Sequence, residues 1–377
     1  MSPFQSGITI REQFEVRAMV GEGGFGQVWW GLDRKLLRDI AIKRISRFGN
    51  LKKDQLLEEA MFIASVQHPN VVIVYDAFEH DGEVLVIMEY LSRGTLQDYL
   101  RDLCLHGQWI EPSEAFRLIR GILSGLDATH NAQFGAIIHK DLKPSNILLD
   151  RRGQPKIVDF GIASLGMVEE IKTAHPGRWE HEGTYGYQSP EQMLGGKLDH
   201  RTDLFNAGLI TYLLLGAAHP FIDPRFLFNY KEMLLRPYRI VPPIDARSLP
   251  REIDEFLGKF LASDPDQRFQ SATEALAELD DIESQYQNLL FDRTVELYDA
   301  LRSGVPIDGQ LTAAELAEGI SVCKRRNFYV QGAFLYEKSG VNFGILTEGT
   351  RTRLEADYGL CRRRAGHEVK FEEIQPA

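Results

Sequence analysis

Asp141, Lys143 and Asn146 stand within one six-residue stretch, and Asp159 follows across a segment that reads as a short β-hairpin. Each residue type suits one task. A carboxylate can orient an attacking hydroxyl and take its proton, and an ammonium can neutralise charge that builds on a phosphate. An asparagine and a second carboxylate offer oxygen ligands to magnesium. Together these are the groups needed to move the terminal phosphoryl group of a nucleoside triphosphate.

Such a set works only if other elements hold the nucleotide against it. Phe14–Val20 reads as a strand that runs into Gly21-Glu22-Gly23-Gly24-Phe25-Gly26, and Gln27–Gly31 returns as a second strand. Glycines let a backbone approach phosphates where a side chain would collide. Alone, the string is equally an ordinary glycine-rich hairpin. In a dinucleotide-binding fold it would open a helix, whereas Gln27-Val28-Trp29 continues as a strand. The third strand, Ile40–Ile45, places Ala41 and Lys43 on one face by alternation. Lys52–Val66 carries a helical apolar stripe, ended by His68-Pro69. Val71–Phe78 and Val84–Glu89 are strand-like, and Glu89–Gly94 is a short connector. From Glu111 the pattern turns helical, with a nearly wholly apolar helix at Arg201–Gly216 and amphipathic helices at Ile253–Leu261 and Ala272–Ile282.

The strings His139-Lys140-Asp141-Leu142-Lys143-Pro144-Ser145-Asn146 and Asp159-Phe160-Gly161 resemble the catalytic and metal-binding loops of eukaryotic-like (Hanks-type) serine/threonine protein kinases, as found in bacteria. The resemblance covers residues 14–282. It implies an α+β bilobal fold: an N-lobe at 14–89 with a small antiparallel sheet and one helix, a hinge at 89–94, and a mainly α C-lobe at 95–282. It implies ATP with magnesium, or manganese in its place, and transfer to serine or threonine of protein substrates, the chain itself included. Asp141 would act on the substrate hydroxyl, Lys143 on the γ-phosphate, and Asn146 and Asp159 on the metal. Ala41, Val28 and Leu148 would enclose the adenine, with Met88 behind it and the Glu89–Leu91 backbone at its edge. Lys43 would hold the α- and β-phosphates and pair with Glu59, which lies at the family's usual offset before His68. Glu191 would pair with Arg268, and Asp203 would anchor the catalytic loop.

Several positions depart from the family's usual pattern or bear on regulation. The family usually has arginine at Lys140, where a planar fork grips an activation-segment phosphate; lysine is a point charge and not equivalent. Thr173 is the best candidate phosphosite, with Ser164 behind it, and Thr184 is expected to bridge Asp141 and Lys143. Phe205 and Asn206 stand where Trp-Ser is commoner, which implies repacking only. His175 and His181 match no metal-site spacing and read as solvated.

Composition bounds the alternatives. A net charge of −11 argues against nucleic-acid or anionic-membrane binding. Lys324–Arg326 and Arg362–Arg364 are basic runs amid acidic residues and read as solvated helix faces. Three widely spaced cysteines give no disulfide framework, and the longest apolar run falls short of the about 20 residues that span a bilayer. Without an apolar leader, a cytoplasmic location is expected. Residues 283–377 form a separate helical region, with helices at Arg293–Arg302, Thr312–Arg325, Phe328–Lys338 and Arg351–Arg364. That region is either a docking module for a protein partner or a brace. Its aromatic residues Phe328, Tyr329, Phe334 and Tyr336 suit core or interface. The alternative to an active kinase is a pseudokinase or ATP-binding scaffold that acts through those helices; none of its six key groups is missing.

Overall fold

The computed structural model describes residues 4–23, 26–46, 53–106, 110–160, 186–216, 249–303, 312–339, 341, 346 and 348–368. The chain divides into two compact units: among the described residues the second takes in 249–253 and everything from Asp280 onward, and the first takes in the rest.

The first unit opens with strands β1 (Thr9–Ile10), β2 (Phe14–Gly23), β3 (Gly26–Asp33) and β4 (Arg38–Ile45), then helix α1 (Lys53–Ala64) and strands β5 (Val74–His80) and β6 (Glu83–Glu89). They form one antiparallel sheet in the order β1-β2-β3-β4-β6-β5. Alternation along β4 sorts its side chains. Ile40 and Ile42 join Phe14, Val16, Phe78 and Leu85 on the outer face, while Ile45 packs with Leu56 and Ala60 of α1 on the inner one. The outer face is closed by Phe4 and Ile8, with Phe4 edge-on to Trp29 at 5.6 Å. The sequence reading misses this N-terminal cover and β1, because two-residue strands carry no periodicity.

Helix α2 (Leu96–Leu105) is begun by Thr95, whose side chain accepts from the Asp98 amide while Asp98 accepts from the Thr95 amide. Helix α3 (Pro112–His130) starts on a proline that needs no amide partner and buries Phe116, Ile119, Ile122, Leu123 and Leu126. Strands β7 (Ile147–Leu149) and β8 (Pro155–Ile157) make the hairpin between Asn146 and Asp159. After α4 (Pro190–Leu194), helix α5 (His200–Gly216) is buried on nearly every side, and a side chain at Gly208 would collide with Phe260 of α6 (Ile253–Phe260).

One element differs from the sequence reading. Ala272–Ile282 and Arg293–Arg302 are not separate helices; Ala272–Ser303 is one 32-residue helix, α7. Nothing between them stops it. Glu283–Asp292 contains no glycine or proline, and Leu279, Ile282, Tyr286, Leu290, Thr294 and Tyr298 continue one buried stripe at three- and four-residue steps.

The second unit adds α8 (Ala313–Arg325), α9 (Tyr329–Lys338) and α10 (Glu348–Glu368). Thr312 and Glu315 cap α8 reciprocally. Close helix approach depends on two glycines: a side chain at Gly319 would strike Thr294, and one at Gly332 would press on Cys361. Tyr336 stacks on Tyr358 at 4.0 Å, Phe334 meets Tyr298 edge-on, and Phe328, partly exposed, meets Phe291. The aromatic stripe is therefore largely engaged inside the bundle. Burial pushes the Cys323 and Cys361 thiols up to about 12 and 11, where a packing role suits them better than reactivity. Among the described residues, no helix is long and apolar enough to cross a membrane.

Candidate active site

The catalytic loop is built around a buried carboxylate. Asp203 of α5 is fully buried and accepts hydrogen bonds from the amides of His139 and Lys140, both at 2.8 Å, and from His130 Nε2 at 2.9 Å. Burial alone would raise its pKa, but the donors around it, His130 first, hold the carboxyl below its usual range. These bonds secure Lys140 at φ +63°, a left-handed conformation that costs a β-carbon residue about 1–3 kcal/mol. Gln192 secures the other side by donating to the Lys140 carbonyl at 2.6 Å.

His139 is buried, and its partners define its tautomer. Its Nε2 lies 2.8 Å from the Val158 carbonyl and must donate, so Nδ1 accepts from the Asp141 amide at 3.2 Å. The ring therefore ties the loop that carries Asp141 to the strand end that carries Asp159. The sequence reading gives His139 no role, although it opens the string that carried the resemblance.

Asp141 Oδ2 lies 2.8 Å from Lys143 Nζ. Asn146 Nδ2 donates to the Asp141 carbonyl at 2.7 Å and to its Oδ2 at 3.2 Å, which leaves the amide oxygen of Asn146 available to a metal. Across the hairpin, Asp159 is held at φ +62° and its Oδ1 lies 2.7 Å from Lys43 Nζ. Burial works to raise the Asp159 pKa, and the Lys43 ammonium more than offsets it, so the carboxyl sits below its usual range.

Here the structure corrects an expectation. No ion pair joins Lys43 to Glu59. Lys43 reaches Asp159 instead, and Glu59 Oε2 is buried without a hydrogen-bond partner. Burial pushes the Glu59 carboxyl up to about 7, against the pull of Lys140 and then Lys43. The physical reason is competition. One ammonium faces two carboxylates, and Asp159 holds it at bonding distance.

The residues expected around the adenine sit on β3, β4, β6 and β7. Val28, Ala41 and Lys43 are in register on β3 and β4, Val28 opposite Lys43 and Ala41 opposite Met88 of β6. Leu148 lies on β7 and bridges to Thr95 after the 89–94 connector, which includes Leu91. A side chain at Gly21 would meet open space, whereas one at Gly26 would collide with the Arg44 carbonyl, so Gly26 is required by strand packing itself. Glu22 and Gly23 complete β2; Gly24 and Phe25 lie outside the described residues, as do Ser164, Thr173, His175, His181 and Thr184. Glu191 and Arg268 form a two-pronged pair at 2.7 and 2.8 Å, with the arginine side chain wholly buried.

The donor set fits ATP with magnesium. Asn146 and Asp159 would each offer one hard oxygen to the metal, which would need phosphate oxygens and waters besides. Among the described residues no cluster of three or more His, Cys, Asp or Glu side chains could hold an ion alone.

A two-lobed domain with a lysine over an Asp-Lys-Asn loop and a second aspartate across a hairpin is that of a protein kinase. The protein kinase domain family model matches residues 14–279, and the chain belongs to that family. It is 32% identical to a probable serine/threonine-protein kinase of Streptomyces coelicolor over 71% of this chain and 39% of that protein. It is 30% identical to serine/threonine-protein kinase PrkC of Bacillus subtilis over 72% of this chain and 41% of that one. The chain thus spans about two-fifths of the length of these curated relatives. Its fold is like that of the PknI kinase domain of Mycobacterium tuberculosis, with a TM-score of 0.56 over 74% of this chain and 98% of that one, at 23% identity.

Proposed function

We propose that the protein transfers the γ-phosphate of ATP to serine or threonine hydroxyls of protein substrates, itself included. The observation that carries this is the convergence of Asp141, Lys143 and Asn146 on one anchored loop, with Asp159 across the hairpin and bonded to Lys43. The substrate oxygen forms a new bond to the γ-phosphorus, the bond from that phosphorus to the β-phosphate oxygen breaks, and ADP leaves. Asp141 orients the hydroxyl and takes its proton. Lys143 neutralises the charge on the moving phosphoryl group. Lys43 holds the α- and β-phosphates under the Gly21–Gly26 turn. Asn146 and Asp159 hold magnesium, which when bound screens the phosphate charge.

The unpaired Glu59 supports a resting arrangement in which Lys43 is not yet committed to nucleotide. A second reading, an ATP-binding scaffold working through the C-terminal helices and a protein partner, draws on the same arrangement. Three free thiols fit a reducing, cytoplasmic setting. Incubation with magnesium and γ-labelled ATP, beside Asp141→Asn, tests the proposal. Label in the parent chain and none in the variant is expected. Bound nucleotide with no label in either favours the scaffold.

A further inference from the structure

Lys156 has no task in phosphoryl transfer, yet it is one of the few buried cations among the described residues. It lies on β8, is 8% exposed, and its Nζ sits 2.7 Å from Glu89 Oε1. Glu89 is the last residue of β6, where the connector between the lobes begins. The same carboxylate oxygen accepts from the Ile73 amide at 2.8 Å, and the Glu89 amide returns a bond to the Ile73 carbonyl at 3.0 Å. The near end of the connector is therefore tied to the floor hairpin by an ion pair that is largely screened from water.

The far end is tied to the same hairpin. The Leu149 amide donates to the Gly94 carbonyl at 3.0 Å, and Leu148 bridges to Thr95. Leu148 stands directly opposite Lys156 in the β7–β8 register. One two-stranded ribbon thus grips the connector at both ends, and the residue at its centre is the one placed beneath the base. A buried charge pair is poor evidence of stability, because desolvation offsets much of its attraction. What such a pair supplies is directional restraint.

We infer that the Lys156–Glu89 pair is a positioning device for the nucleotide base: it sets the height of the Glu89–Leu91 backbone over Leu148, and with it the preference for adenine. Lys156 acts through Glu89 and touches no ligand. The inference rests on the nucleotide reading of this cleft. Small displacements of positioning groups have large effects on binding and rate, of order tenfold and more.

The test uses the full chain and measures magnesium-dependent binding of ATP, GTP and tripolyphosphate by calorimetry. Lys156→Met combined with Glu89→Gln leaves no buried charge and keeps an acceptor for the Ile73 amide. It is expected to weaken ATP about tenfold and to lower the ATP-over-GTP preference, with tripolyphosphate binding unchanged. Lys156→Arg alone keeps both charges buried together but changes the length of the tether, and is expected to fall between; it decides the matter if the double variant does not fold. ATP affinity and preference equal to the parent's in a folded variant overturn the inference. A parent chain that binds no adenine nucleotide instead overturns the reading beneath it.

Discussion

Lys43 Nζ lies 2.7 Å from Asp159 Oδ1, while the carboxylate of Glu59, buried nearby, has an oxygen with no partner. The cation expected to steady phosphates is thus committed to the carboxylate expected to bind the metal. Lys43→Met is expected to reduce phosphotransfer at least about a hundredfold, on the scale of removing one preorganised charge from a reacting centre. Steady-state kinetics on labelled ATP, with circular dichroism to verify folding, checks this.

Glu59 makes stability depend on pH with a definite sign. Its carboxyl is raised from 4.5 to about 7, so the folded chain binds its proton more tightly than the unfolded one. Its contribution to stability is fully present below pH 4.5 and is lost as pH rises towards 7. Glu59→Gln removes that loss. The variant should therefore gain stability relative to the parent between pH 5 and 8, by up to about 3 kcal/mol, since each tenfold change in proton affinity is worth about 1.4 kcal/mol. Urea unfolding across that range measures it, and a difference that does not change with pH would refute it.

Glu191 and Arg268 carry the opposite sign. Burial raises the Glu191 pKa, and hydrogen bonds and charge from Arg268 more than offset it, so the carboxyl is held below its ordinary 4.5. Their stabilisation is present above pH 4.5 and falls away as pH drops below it. Glu191→Gln at neutral pH leaves the wholly buried arginine without its counter-charge and should cost about 3–5 kcal/mol. A lowered melting temperature read by calorimetry, with the gap to the parent closing in acid, is the expected result.

Asp203→Asn would replace an acceptor-only group by one that also donates, opposite two backbone amides. The loop carrying Asp141 should loosen, with phosphotransfer falling more than nucleotide affinity. Hydrogen exchange at the His139 and Lys140 amides reports the loosening directly.

Gly319→Val tests the second unit by itself. The new side chain would strike Thr294, and overpacking of this kind costs about 1–3 kcal/mol. A lower unfolding midpoint for α8–α10, followed by exchange of their amides, is expected.

How much of this was legible in the sequence follows from what each feature depends on. The strands, helices and loop strings could be read because they rest on local spacing: alternation along β4, the stripe of α1, and the order from Asp141 to Asn146; the bilobal arrangement came from the resemblance those strings carry. The partner of Lys43 could not, because Glu59 and Asp159 are both suitable carboxylates and the choice is made by tertiary geometry. His139 escaped notice because a buried histidine between an amide and a carbonyl has no periodic signature. Lys156 carries no local signal, because its partner Glu89 lies 67 residues away in the chain. The break expected after Ile282 is absent because the residues between the two expected helices carry no stop signal and the buried stripe from Leu279 to Tyr298 runs through them.

Helix α7 passes Leu279, where the family match ends, with its backbone hydrogen bonding uninterrupted to Ser303. Within the second unit, Tyr286 bonds Glu318 and Thr294 packs against Gly319, so two points of this helix meet α8. Inserting one residue between them would shift one point by about 1.5 Å and turn it by about 100° relative to the other, so any change of length there costs one of the two contacts.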